Sequence, residues 1–247
     1  MNFLPDIERV PDMIAIRPLK YIDLFVLMAL VALYCVGTYD RNQVWKEDLT
    51  LWLDTVEKSP GKARPHFGVG YVYNFKGYYD RAIVELKKAL SISPDYFKAR
   101  NSLGVAYSNK GLYDEAIVEY RKVLKTRPAY FEAHHNLGLC YARKGLTEMA
   151  IFEYEKAVAL KPHNITARTR LANAYALKGM TDKAIAEYSK LVAATPDNPD
   201  IYYNLGIAFS EKKEYSMAAR MFAETVRLRP DDRDAHLKLA ESLARQK

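Results

Sequence analysis

The sequence predicts an all-α fold, a solenoid of stacked helix-turn-helix pairs preceded by one transmembrane helix. Three observations predict it. Prolines at 60, 94, 128, 162, 196 and 230 stand 34 residues apart each time, a period that belongs to stacked helical pairs. Small residues keep the same phase, at Gly70, Gly104, Gly138, Ala172 and Gly206 and again at Ala82, Ala116, Ala150, Ala184 and Ala218. The aromatic supply, 19 tyrosines in 247 residues, is largely in phase as well: Tyr73, Tyr107, Tyr141 and Tyr175 recur with Phe209, and Tyr120, Tyr154 and Tyr188 with Leu86 and Phe222. At 49% hydrophobic and 27% charged, the chain has the composition of a folded protein.

Residues 1–20 are broken by Pro5, Pro11 and Pro18 and dotted with Leu4, Ile7, Val10, Ile14 and Ile16, which suits a segment lying along an interface. Leu24 to Tyr39 is a run of 16 residues without a charge. As a helix it measures about 24 Å against a hydrocarbon thickness of about 30 Å, and Tyr21, Ile22 and Asp23 add about 4.5 Å. Residues 21–39 are therefore read as the transmembrane helix, with Tyr21, Tyr34 and Tyr39 near the interfaces; a helix buried against a partner is the alternative. Arg9, Arg17 and Lys20 on one side balance Arg41, Lys46 and Lys58 on the other, so the positive-inside rule gives no orientation. In the junction, 40–62, Leu49, Trp52, Leu53 and Val56 have the spacing of a second helix and predict a half-repeat cap, with Asp48 where the pattern expects alanine.

Five full units follow, 63–96, 97–130, 131–164, 165–198 and 199–232, each numbered so that its proline is position 32. The small residues at positions 8 and 20 let the two helices of a unit approach, and the large side chains at 11 and 24 fill the space beside them. Gly77, Gly111, Gly145 and Gly179 at position 15 suit a left-handed helix cap between the two helices. Lys213 stands there in the fifth unit and predicts a less regular turn. Position 4 holds His66, Arg100, His134, Arg168 and Tyr202, and the polar residues predict looser packing of the first helices. After Pro230, the spacing of Ala235, Leu239, Ala240 and Leu243 predicts a capping helix over 233–247, ending on Arg245, Gln246 and Lys247.

These positions resemble the tetratricopeptide repeat family over roughly residues 63–247. The resemblance implies a right-handed superhelix whose first helices line a concave groove, and a function in binding other proteins. Residues at positions 2, 5, 6, 9, 12 and 13 share one face of the first helix, opposite the 4, 7, 8 and 11 stripe, because steps of three and four stay on one side. On the groove that the resemblance implies, that face carries Arg64, Phe67, Tyr71, Asn74 and Phe75 in the first unit and Lys98, Asn101, Ser102 and Asn109 in the second. His135, Asn136 and Arg143 continue it, then Arg170 and Asn173, then Tyr203 and Asn204. Asparagine donates and accepts at once, which suits recognition of an extended peptide backbone. The family's clamp for a C-terminal carboxylate is not complete in any run of three units.

A second resemblance lies in Arg41-Asn42, Trp45, Leu51-Trp52, Asp54, Val56 and Lys58-Ser59-Pro60, running into Lys62-Ala63-Arg64. It is similar to the membrane-exit junction of multi-pass membrane proteins related to protein O-mannosyltransferases, whose repeats are extracytoplasmic. It implies a bacterial inner-membrane protein with periplasmic repeats. The acidic residues of that family's first external loop have no counterpart, so transferase activity is not implied.

The net charge of +7 is uneven: residues 63–247 hold 30 basic and 21 acidic side chains, and residues 63–130 alone 12 and 6. That excess suits an acidic partner or an anionic lipid surface, or is a solvated basic face. Cys35 and Cys140 give neither a disulfide framework nor metal spacing. Adjacent His134 and His135 point about 100° apart on a helix and cannot share a metal. No catalytic residue, cofactor, metal, small-molecule substrate or nucleic-acid motif is expected. The expected function is a membrane-anchored scaffold, a subunit or assembly factor of an envelope complex, with a protein or peptide in the groove and the bilayer around 21–39. The alternative is an accessory subunit presenting substrates to a separate membrane glycosyltransferase.

Overall fold

The computed structural model describes residues 48–246, which form twelve α-helices and no strand. Helix α1 (Asp48–Lys58) is the first described element, and five pairs follow: α2 (Ala63–Phe75) with α3 (Tyr79–Ile92), α4 (Phe97–Asn109) with α5 (Tyr113–Thr126), α6 (Phe131–Arg143) with α7 (Thr147–Leu160), α8 (Ile165–Leu177) with α9 (Thr181–Ala194), and α10 (Pro199–Glu211) with α11 (Tyr215–Leu228). Helix α12 (Arg233–Ala244) closes the array. Each helix packs on its neighbours in sequence. First helices of adjacent units also approach one another, α2 with α4 and α4 with α6, whereas no pair of second helices is comparably close. The row that is more crowded is the inner row of a curved stack, so the first helices line its concave side.

The expected segments 1–20 and 21–39 lie outside the described residues. Among the described residues no helix is long and apolar enough to cross a membrane. The longest have 14 residues, about 21 Å against about 30 Å of hydrocarbon. The expectation of a single-pass membrane protein with periplasmic repeats is corrected on this finding, and the expected bilayer contact has no support in the described part.

The pairs hold together as the periodicity requires. The position-24 side chain lies against the position-8 glycine: a Cβ on Gly104, Gly138 or Gly206 would fall 2.6, 2.7 or 2.8 Å from the ring of Tyr120, Tyr154 or Phe222, and one on Gly70 would meet Leu86 at 2.6 Å. Position-20 alanines are fully buried beneath them, as is Cys140. Each second helix ends where the proline approaches, because the residue before a proline is forced into extended backbone: Ser93 has φ −133 and ψ 90, and Arg127, Lys161, Thr195 and Arg229 follow suit.

Two local expectations are corrected. The fifth turn is as regular as the others: Lys213 takes the same left-handed conformation (φ 62) as the four glycines (φ 74 to 81). The Glu214 N–H closes on the Phe209 carbonyl at 2.9 Å, as Tyr78 does on Tyr73. Nor do the polar residues at position 4 loosen the pairs. They bridge the glutamate at position 23 and the carbonyl of the preceding proline. His66 Nδ1 meets Glu85 at 2.7 Å and its Nε2 the Pro60 carbonyl at 3.0 Å; His134 repeats this with Glu153 at 2.6 Å and Pro128 at 2.8 Å. Arg100 donates to Glu119 and the Pro94 carbonyl, both at 2.7 Å, and Arg168 to Glu187 and Pro162. In the fifth unit position 4 is Tyr202 and position 23 is Met221, so both positions change together.

A second ladder runs along the turns. The lysine at position 14 of each later unit pairs with the acid at position 18 of the unit before: Lys110 with Asp80, Lys144 with Asp114, Lys178 with Glu148 and Lys212 with Asp182.

Candidate functional site

The concave face begins at an aromatic mouth. Phe67 on α2 is half-buried, its ring 5.1 Å from Tyr96 and 6.1 Å from Tyr71. Tyr71 is 59% exposed and Phe75 88%, so two large rings stand in solvent on one helix beside exposed Arg64. Trp52 of α1 completes the mouth: a Cβ at Gly68 would fall 2.2 Å from its indole. Sequence reasoning placed Trp52 in the cap but not against the groove. The available signal was Gly68 itself, at position 6, where the other units carry Ser102, Asn136, Arg170 and Asn204.

Beyond the mouth the face turns polar. Asn74 Nδ2 donates to the Ser102 carbonyl at 2.8 Å, stitching the first unit to the second, while its Oδ1 is buried without a partner. Asn101 Oδ1 is buried and unpartnered as well; Lys98 and Asn109 are exposed. His135 stacks on Phe131 with centroids 5.8 Å apart, and its Nδ1 lacks a partner. Burial pushes the His135 imidazole below its ordinary value of 6.5, Arg170 pushes it further, and Glu132 opposes them. The ring is therefore neutral at pH 7.

Asn136 and Asn204 are half-buried and make no side-chain hydrogen bond among the described residues. Arg143 is exposed. Arg170 is half-buried with its Nε unpartnered, and Asn173 Oδ1 accepts from the Tyr188 hydroxyl at 2.6 Å. Tyr203 is the site residue turned aside: its hydroxyl bonds Asp234 of α12, and its ring lies 5.6 Å from Phe222. Burial, then Asp234, push that hydroxyl up to about 12.

Among the described residues, four of the five buried side-chain polar atoms without a partner thus lie on this face, on Asn74, Asn101, His135 and Arg170; the fifth is the Tyr120 hydroxyl. A pocket of about 150 Å³ opens at Arg170 and Asn173, walled by Ala142, Tyr154, Ala174 and Leu177. A wider hollow of about 600 Å³ lies away from the groove, between Lys213–Met217 and Arg245–Gln246, and none of the unpartnered atoms faces it. Among the described residues no cluster of three His, Cys, Asp or Glu side chains could hold a metal ion.

Comparison with known proteins agrees with this architecture. A family model for the TPR repeat matches residues 70–111, 109–145 and 172–213, and two for the tetratricopeptide repeat match 131–164 and 203–247. These matches begin at residue 70, so none supports the membrane-junction resemblance of residues 41–64. A search of curated proteins gave no match. Among solved structures, YrrB, described as a TPR protein with an unusual peptide-binding site, superposes with a TM-score of 0.67 at 21% identity, covering 78% of this chain and 97% of that one. The MamA protein superposes with a TM-score of 0.63 at 26% identity, covering 67% and 91%. A double mutant of MamA from RS-1 gives 0.65 at 24%, covering 70% and 97%. With repeat matches spanning residues 70–164 and 172–247, and the helix pairs, glycine contacts and turns repeating in the same phase, the chain belongs to the tetratricopeptide repeat family.

Proposed function

We propose that the chain is a protein-binding scaffold that holds an extended segment of a partner in its concave groove, as a subunit or assembly factor of a larger complex. One observation carries the reading: the unpartnered buried atoms of Asn74, Asn101, His135 and Arg170, one in each of four successive units. Leaving such a group unmatched costs about 1–3 kcal/mol, and native structures do so rarely. An extended backbone offers a donor and an acceptor at every residue, at about 3.3 Å per residue, and so can answer both kinds of atom along the row. The free amides of Asn136 and Asn204 lie on the same face, and the rings of Phe67, Tyr71 and Phe75 offer an apolar side chain a place to dock at the mouth. YrrB, similar in fold, is described as having a peptide-binding site; the reading for this chain stands on its own groove atoms.

The test is selection of peptides from a random displayed library, followed by affinity measurement on the wild type and three variants. Peptides selected on the wild type should bind the Asn101→Ala and the Asn136→Ala/Asn204→Ala variants two- to tenfold more weakly per lost hydrogen bond. A variant on the second helices, Val118→Ser, should bind as the wild type does. Equal affinity for all three, with equal melting temperatures, would move the binding surface off the groove.

A further inference from the structure

We propose that the outer face of the first two units, formed by α3 and α5, docks an acidic segment of a partner protein. This surface lies on the far side of the helix pairs from the groove and does not depend on what the groove binds.

Helical spacing builds the face. Positions 20, 24 and 27 of each second helix turn to the core, where Ala82, Leu86, Ala89, Ala116, Tyr120 and Val123 are fully buried. Steps of three and four then put positions 25, 26 and 29 together on the outer side. Those positions hold Lys87, Lys88 and Ser91 on α3 and Arg121, Lys122 and Lys125 on α5, all exposed. Five cations and no acid therefore stand there in the first two units. In the next three units the same positions carry three cations, Lys156, Lys190 and Arg227, against two acids, Glu155 and Glu224, so the basic face is local.

Internal pairing leaves the row charged. Lys88 reaches Glu85 at 2.8 Å and Lys122 reaches Glu119 at 2.7 Å, but each glutamate is already held by a position-4 side chain, His66 or Arg100. Lys87, Arg121 and Lys125 are in no ion pair among the described residues. Tyrosines of the following unit hold two of them in place. Lys87 lies 5.8 Å from the centroid of the Tyr107 ring, and Arg121 lies 5.9 Å from that of Tyr141 and donates to its hydroxyl at 2.7 Å. A side chain already fixed loses less freedom on binding, so the row is organised before a partner arrives. Like charges three or four residues apart, such as Arg121 and Lys125, repel along a helix. The helix dipole offsets this for Lys125, in the last turn of α5, but not for Arg121 or Lys87.

The row ends at a hollow of about 180 Å³ beside Pro94 and Phe97, whose lining holds three cations, Arg100, Lys122 and Lys125, and one acid, Asp95. Carboxylates spaced along a peptide relieve the repulsion between the cations, and the hollow has room for one of them. A protein fits this face better than a nucleic acid does. The rings that border the row, Tyr107, Tyr141 and Phe97, already carry Lys87, Arg121 and Arg127, which leaves a base no free ring to stack on.

The test is a titration of the ¹⁵N-labelled full chain, read at the backbone amides of α3 and α5 and at the Arg121 Nε–H. The probe is acetyl-hexaglutamate amide, compared with acetyl-hexaglutamine amide, hexathymidylate and phosphatidylglycerol vesicles. Hexaglutamate should shift the α3 and α5 resonances saturably while those of α7 to α11 stay in place, and the binding should weaken as salt rises from about 0.05 to 0.5 M. Hexaglutamine should shift none of them. Lys87→Glu/Arg121→Glu/Lys125→Glu should bind hexaglutamate about tenfold or more weakly and take up acetyl-hexalysine amide instead, at unchanged helicity. Lys87→Gln/Lys125→Gln, which keeps Arg121 on Tyr141 and so decides the matter if the triple variant misfolds, should bind hexaglutamate about two- to thirtyfold more weakly. The proposal is overturned by an absence of saturable shifts, by shifts spread over the basic residues of all units, or by unaltered affinity in the folded variants. Binding of hexathymidylate or of the vesicles as tight as that of hexaglutamate also overturns it, and assigns the face to nucleic acid or to a lipid surface.

Discussion

At the scale of single residues, the polar bridge from position 4 to position 23 decides how each helix pair closes. A buried, hydrogen-bonded polar pair such as His134 with Glu153, broken on one side, leaves the other member unsatisfied, whereas replacing both members with apolar groups can be neutral. Repeat five contains the apolar version, Tyr202 with Met221. Glu153→Met alone should therefore cost about 2–4 kcal/mol, and His134→Tyr/Glu153→Met should recover most of it; a thermal double-mutant cycle measures the coupling, and additive losses would refute it. The pair was half legible. The polar residues at position 4 were visible, but read alone they suggested loose packing; the informative signal was that glutamate holds position 23 in the four units with a polar position 4 and is absent in the one without. Lys213 offers a simpler case. A side chain in the left-handed region costs about 1 kcal/mol that glycine avoids, so Lys213→Gly should raise stability by about 0.5–1 kcal/mol, seen as a higher urea midpoint. His135 gives a pH dependence. With its folded value below 6.5, the unfolded chain binds a proton that the folded chain refuses, so its contribution is complete above pH 6.5 and is lost as pH falls below it. Arg170, Tyr154, Phe131 and Glu132 surround the ring. Melting temperature should fall between about pH 7.5 and 5.5 in the wild type and fall less in His135→Gln; parallel curves would exclude His135 as a source.

At the scale of elements, prolines and glycines made the helix boundaries legible, because each forces a backbone conformation regardless of tertiary context. Side-chain orientation on the first helices was legible for the same reason, since steps of three and four keep to one face. What sequence spacing could not give is where α1 would place its largest side chain. Trp52 of α1 reaches forward to Gly68 on α2. Trp52→Ala should remove about 2–4 kcal/mol from the contact between α1 and α2. Because a solenoid is stabilised unit by unit, the loss should be local: hydrogen exchange of α2 and α3 amides should quicken while α8 to α11 stay protected. Uniform acceleration would mean that the array unfolds as one block. Capping differs along the chain in a way that follows composition. Asn164, Asn198 and Asp232 accept from backbone N–H groups at the starts of α8, α10 and α12, whereas Tyr96 and Tyr130 at the same phase pack on Phe67 and Phe97 instead.

At the scale of the whole molecule, the fold was readable because it is one contact pattern repeated, and a pattern seen five times needs no tertiary knowledge. The placement in a membrane was not: it rested on one apolar run, read without any packing partner to compare. Which positions share a face of a first helix follows from the helical period, but the unsatisfied atoms were not readable, since satisfaction depends on distances that periodicity does not fix. The lysine and acid ladder gives the array a mechanical property. Its four spokes lie along the turn edge, each fastening one unit to the next, and all of them are open to solvent, where added salt weakens such pairs. Among the described residues the opposite edge is joined from unit to unit by position-4 side chains bonded to the preceding proline carbonyls, and its ion pairs, Lys161 with Glu132 and Arg229 with Asp200 and Asp232, stay within a single unit. The salt-sensitive fastening between units therefore runs along one side of the stack, so that ionic strength acts on one edge of the spring. Raising salt from about 0.05 to 0.5 M should lengthen the coil and increase the radius of gyration in small-angle scattering at unchanged helicity, and replacing the four lysines by glutamine should give the longer coil already at low salt. A dimension that is indifferent to both changes would show that the apolar contacts alone set the pitch.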